Sequence, residues 1–265
     1  MKKNINQLAA VIYADLFGYP LTVSEAKLWA IRKVGEKYSL EKFNKATEIV
    51  NLLKLIPTIE AVFLTGSVAV KNAKKNADVD LMIITSSNTA WLTRGVVFLF
   101  LKIIKKFKNP ICPNIFLDLN HLEIKEKNLY TAHEVLQAKC LYDKNNIEKL
   151  WVQKNRWTKD YLPNAYKHNI NKPNHPISNN SINTNQPRFD RGQPMTKLDI
   201  GYWILKLWIL VIGFIEFCVF IPQYLYMRNR ITNEQVGWGY MFFHPNDVAG
   251  KILGKFEQRL LKYKE

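Results

Sequence analysis

A chain of 265 residues, 48% hydrophobic and 23% charged, can bury one large core or two modest ones, which excludes a small stapled peptide. Thirty-eight Lys and Arg against 22 Asp and Glu leave a net charge of +16, suited to polyanions such as nucleic acid, nucleotides or an anionic membrane face. Thirty of those cations are lysines and 25 residues are asparagines, so coding habit alone also yields this balance. Cys112, Cys140 and Cys218 form no C-x-x-C pair and exclude a disulfide framework, which fits a reducing cytosol. The basic N-terminus precedes only a short apolar patch with Asp15 inside it and no small-residue cleavage site, so no signal peptide is expected and the chain reads as cytoplasmic.

Residues 1–57 read as three short helices. Leu8–Phe17 stops at Gly18-Tyr19-Pro20, Thr22 and Glu25 form a capping box that opens a helix to Val34, and Leu40–Leu55 ends before Pro57. Their outline is that of a helix-turn-helix or winged-helix module, with DNA or RNA contact as one reading and an inert cap as the other. Between 58 and 162 the pattern becomes mixed. Strands are expected at Ala61–Leu64, Val79–Thr85 and Asn114–Asn120, and helices at Asn88–Lys108, Leu129–Cys140 and Asn146–Leu162. Lys102, Lys105, Lys106 and Lys108 suit a solvated helix end.

Residues 163–195 hold eight asparagines between Asn164 and Asn185 along with repeated prolines, a composition that buries too little surface to offset its ordering entropy and reads as a linker or loop. Residues 196–265 read as helical, with an aromatic turn at Trp238, Phe242, Phe243, His244 and Pro245 and a helix start capped by Asn246 or Asp247. Ile200–Met227 approaches the roughly 20 apolar residues of a bilayer span. Lys206, Glu216 and Pro222 interrupt it, and the expectation is a buried or interface-forming helix rather than a membrane anchor.

The chemistry lies in Phe63-Leu64-Thr65-Gly66-Ser67 and, ten residues on, Asp78-Val79-Asp80-Leu81. On a strand, residues i and i+2 share a face, so Asp78 and Asp80 present two carboxylates side by side while Val79 and Leu81 turn to the core. Like charges so close call for a cation between them, and hard carboxylate oxygens suit magnesium completed by substrate phosphates. Gly66 and Ser67 at a strand end supply a close-approach glycine and a hydroxyl. His133-Glu134 is followed by Gln137 where a zinc-type H-E-x-x-H needs histidine, so zinc is not expected, and that segment reads as a helix packed behind the sheet, with Glu134 or His133 at the border of the site as the other reading. The tryptophans read as packing, with a nucleobase-pocket role open for Asn155 and Trp157.

This combination resembles the nucleotidyltransferase superfamily typified by DNA polymerase beta, whose pattern is a hydrophobic strand, Gly-Ser, a gap of about a dozen residues and Asp-x-Asp on the next strand. The resemblance implies an α+β fold with a small mixed sheet and flanking helices, to which this chain adds the N-terminal module and a helical C-terminal region. It implies magnesium (two ions, with manganese able to substitute), a nucleoside triphosphate such as ATP gripped by Gly66 and Ser67, and metal-binding catalytic acids at Asp78, Asp80 and, as the third carboxylate, Asp118 in Ile115–Leu119. Relatives with an arginine after Gly-Ser depart from this chain, where phosphate contact falls to Lys71, Lys74 or Lys75. The implied reaction is two-metal transfer of a nucleoside monophosphate to an acceptor that is a nucleic acid, a small molecule or a protein. A non-catalytic nucleic-acid-binding regulator on the same fold and a membrane-associated protein held through residues 200–227 are the alternatives.

Overall fold

The fold is taken from a computed structural model, which describes residues 11–14, 36–104, 111–171, 200–228, 234–243 and 248–262. Of the N-terminal module, α1 (Glu36–Leu53) is described; the capping box at Thr22 and most of the first two expected helices lie outside those residues. The described chain continues as β1 (Ile59–Leu64), the one-turn α2 (Gly66–Ala69), β2 (Val79–Thr85), α3 (Ala90–Ile103), β3 (Ile111–Asp118), α4 (Leu129–Gln137) and β4 (Lys139–Asp143). There follow α5 (Ile147–Lys154), a 3-10 turn (Arg156–Asp160), α6 (Pro163–Ile170), α7 (Ile200–Arg228), β5 (Gln235–Val236), β6 (Tyr240–Phe242) and α8 (Val248–Lys262).

Six strands form one sheet in the order β4-β1-β2-β3-β6-β5. β1 runs antiparallel to both β2 and β4, β2 runs parallel to β3 with α3 as the crossover, and β6 closes antiparallel on β3 and β5. Every residue of β1 is buried, because helices cover both faces of the sheet. Val62, Leu64, Leu81, Ile83 and Phe116 join Ile49 and Leu53 of α1 and Trp91 of α3 on one face. Phe63, Met82, Ile84 and Leu117 pack with Val135, Leu136, Trp151 and Trp157 on the other. The alternation along β1 and β2 is therefore largely apolar on both sides, with Glu60 and Asp80 as the charged exceptions.

The fold differs from the expectation in three places, two of them in the sheet. β4 lies where the helix from Leu129 was extended to Cys140; Ala138 leaves helical geometry, and Cys140 to Asp143 pair with β1. The C-terminal region is not wholly helical, since the aromatic turn is instead the β5–β6 hairpin, a part of the sheet; His244 to Asp247 lie outside the described residues. The expected linker begins late, because Pro163 occupies the first turn of α6, where its missing N–H is harmless, and Ala165 is buried against the core. Residues 172–199 lie outside the described residues.

α7 is a continuous 29-residue helix that includes Glu216 and Pro222. Its stretch Leu210–Arg228 is long and apolar enough to cross a membrane by length and composition. One side packs on α3: the fully buried Glu216 accepts from Trp91 N and Leu92 N, each at 2.7 Å, satisfying two donors at the start of α3 that the helix itself cannot pair. Gln223 donates to Trp91 O at 3.2 Å and accepts from Arg94. The ring of Phe220 meets Trp91 edge-on at 5.0 Å. Leu210, Phe214, Leu225 and Tyr226 remain exposed.

Candidate functional site

β1 ends where its last ladder bond, Thr65 N to Asp80 O at 3.0 Å, brings the Gly66-Ser67 turn over Asp80. Gly66 has φ +62°, and a Cβ on it would lie 2.3 Å from Asp80 Oδ2, so both the backbone and the carboxylate beneath it demand glycine. Val68 and Ala69 are buried and anchor the turn in the core. Ser67 O accepts from Asn72 N at 2.8 Å and closes the loop that carries Lys71. Lys71 itself has φ +59° and is exposed, as are Lys74 and Lys75. The segment from the glycine turn to β2 is thus a basic rim above an acidic floor.

Asp78 and Asp80 enter β2 two residues apart, Asp78 exposed and Asp80 partly buried. Burial, and then the charge of Asp78, push the Asp80 carboxyl up to about 6. Lys42 of α1, 1% exposed, donates to Ala77 O at 2.8 Å and fixes the approach to this strand; its burial pulls the ammonium below the usual lysine range. On the neighbouring strand, Asn114 Nδ2 donates to Asp80 Oδ1 at 3.1 Å. The Cys112 thiol, paired in register with Asp80, is pushed up to about 11 by burial and by the two acids. α4 approaches from the same side. Tyr130 and Glu134, one turn apart, face the charge of Asp80: Glu134 is pushed up to about 7 by burial and then by Asp80, and Tyr130 is raised by burial and then by Glu134. His133 stacks on Tyr13 with ring centroids 4.3 Å apart and is pushed down to about 3 by burial, so it is neutral at physiological pH.

The geometry brings Gly66, Ser67, Asp78 and Asp80 together. Asp118 does not join them. β3 runs parallel to β2, and Asp118 pairs with Thr85, five residues beyond Asp80 and so about 16 Å along the sheet at strand rise. It is fully buried there and accepts from Asn88 N at 3.0 Å, Asn120 N at 2.9 Å and His121 Nδ1 at 2.7 Å, which makes it the organiser of two turns. Among the described residues, no three His, Cys, Asp or Glu side chains gather as a metal group. Two carboxylates do fit one hard dication whose remaining positions are filled by substrate phosphate and water. Asn155 is likewise structural, bonding Ile124 N, Leu122 O and Trp157 Nε1 in the core.

Sequence reasoning missed Lys42, Asn114 and Tyr130, and took the segment of Glu134 mainly as packing. Asn114 carries no signal because it is an amide and not an acid, and because a register shift turns it: Leu81 pairs with Pro113 and Met82 with Ile115, leaving Asn114 as the extra residue of a bulge.

Residues 47–147 match the family model described as Polymerase beta, Nucleotidyltransferase, the span from α1 to the start of α5. That span is thus similar to a nucleotidyltransferase domain, and the described fold is a mixed α+β core with flanking helices. Among solved structures, a toxin-antitoxin crystallised with AMP-PNP is 17% identical at a TM-score of 0.31, the match covering 47% of this chain and 94% of that one. A mutant of the toxin-antitoxin MntA-HpeT is 16% identical at 0.30, over 46% of this chain and 91% of that one. No curated protein matches the chain.

Proposed function

We propose that the protein transfers a nucleoside monophosphate from a nucleoside triphosphate to an acceptor hydroxyl, with loss of pyrophosphate, in a magnesium-dependent reaction. The observation that carries this reading is the glycine turn pressed on Asp80 with Asp78 beside it, inside a domain matched to a nucleotidyltransferase family. Asp78 and Asp80 would hold the dication, which when bound supplies charge neutralisation at the phosphates and acidifies the acceptor oxygen. Ser67 and the backbone of its turn take the triphosphate, and the exposed Lys71, Lys74 and Lys75 draw it in from solvent. Asp80 fits this role because burial and the charge of Asp78 raise its carboxyl, and a dication beside it would supply the countercharge. Positioning and charge neutralisation carry most of the acceleration in such transfers, and little covalent chemistry is asked of the protein.

The test is transfer of label from α-labelled triphosphates, with magnesium or manganese, to RNA, protein and small-molecule fractions of a lysate. Asp78 is exposed, so Asp78→Asn spares the fold and is expected to lower transfer at least a hundredfold. Full activity in that variant would overturn the reading.

A further inference from the structure

Asn114 combines three features. It is the unpaired residue of the bulge between Pro113 and Ile115, the device by which a strand re-aims one side chain. Its Nδ2 is bonded to Asp80 Oδ1 at 3.1 Å, and its backbone carbonyl accepts from Phe243 N at 2.8 Å, which locks the bulge against the strand end beyond β6. The side chain is 6% exposed, and its Oδ1 has no hydrogen-bond partner. A buried amide oxygen left unpaired is a standing penalty, and beside the Asp80 carboxylate it points to a partner that arrives with the ligand. Asp80 is held from two sides, by this amide and by the close approach of Gly66.

We infer that Asn114 is the third member of the site: its amide sets the rotamer of Asp80, and its free Oδ1 is an uncharged oxygen ligand for a hard dication. This rests on the cation role given to Asp78 and Asp80 above. Its consequence is electrostatic. Two carboxylates balance one dication, whereas a second dication beside them would meet a neutral amide where a third acid would otherwise offset its charge. The nucleotide-free protein therefore takes up one dication, and any further ion comes with the triphosphate. Asn114 acts here on the cation and on Asp80, and it moves no proton.

The experiment is titration of the nucleotide-free, full-length protein with Mn2+, followed by electron paramagnetic resonance, for wild type, Asn114→Asp and Asn114→Ala, with melting curves to confirm folding. Wild type is expected to bind one Mn2+, Asn114→Asp a second, and Asn114→Ala one Mn2+ at roughly tenfold or greater loss of affinity, as for outer ligands that orient a metal site. Two ions on wild type, or unchanged stoichiometry and affinity in Asn114→Asp, overturns the inference. If Asn114→Ala does not fold, the near-isosteric Asn114→Asp decides alone. Failure to find nucleotidyl transfer would leave these titrations readable, and transfer with titrations unaffected by Asn114 would remove this inference alone.

Discussion

Replacing Asp80 by Asn should stabilise the metal-free protein while abolishing its activity. The native carboxyl sits at about 6 against 3.8 for the unbiased group, because burial and the Asp78 charge both penalise the ionised form. At 1.36 kcal/mol per pKa unit this is about 3 kcal/mol of strain above pH 6, and solvent screening of a partly exposed group reduces it to about 1–3 kcal/mol. The native state holds the proton more tightly than the unfolded state between pH 4 and 6, so wild-type stability falls as pH rises through that window. Asn keeps the acceptor for Asn114 Nδ2 and carries no charge. Asp80→Asn should therefore match wild type near pH 4 and exceed it above pH 6, by several degrees in Tm at about 2–4 °C per kcal/mol for a chain of this size. The assay is thermal melting in EDTA from pH 4 to 8, repeated with magnesium, which should raise the wild-type Tm and leave the variant unmoved. A variant that melts at or below wild type at pH 7, with the same difference at pH 4, would refute the reasoning.

Asp118→Asn separates structure from chemistry: Asn cannot accept on both of its terminal atoms, so one of the three bonds from Asn88, Asn120 and His121 is lost, and a drop of about 2 kcal/mol in stability is expected with transfer per folded molecule unchanged. Loss of transfer to the level of Asp78→Asn, in a folded Asp118→Asn, would return Asp118 to the machinery. Glu216→Ala leaves the N–H groups of Trp91 and Leu92 without their acceptor, and should cost about 1–3 kcal/mol and speed hydrogen exchange at those two amides; unchanged protection there would show that α7 does not cap α3.

What the sequence reveals of this fold depends on how local each determinant is. Phe63 to Ser67 and Asp78 to Asp80 were legible because a strand end, a glycine and an i, i+2 pair of acids are all set within a few residues, and the fold places them where that reading puts them. β4 was not legible, because Cys140-Leu141-Tyr142 is a short apolar run that joins a helix pattern as readily as a strand, and only pairing with β1 decides between them. Asp118 was misplaced for a related reason. Its alternation against Ile115, Leu117 and Leu119 is real, but alternation gives a face and not a position along the sheet; the parallel register sets that position, and the bulge puts Asn114 there instead. Lys42 and Glu134 reach the site from helices distant in sequence, and no spacing rule connects them to Asp80.

β6 is supplied by residues 240–242, more than 120 residues after the strand it covers, and Glu216 reaches α3 across a similar gap. On the ribosome, β1 to β4 would emerge with β3 as a bare edge of unpaired backbone, and the start of α3 would lack its acceptor. At about 5–20 residues per second, that interval lasts several seconds or more. An exposed edge strand is a template for pairing with other chains, so the nascent protein is most prone to aggregate in this interval, and a truncation that keeps the matched residues 47–147 but ends before β6 would be insoluble or chaperone-bound rather than a minimal enzyme.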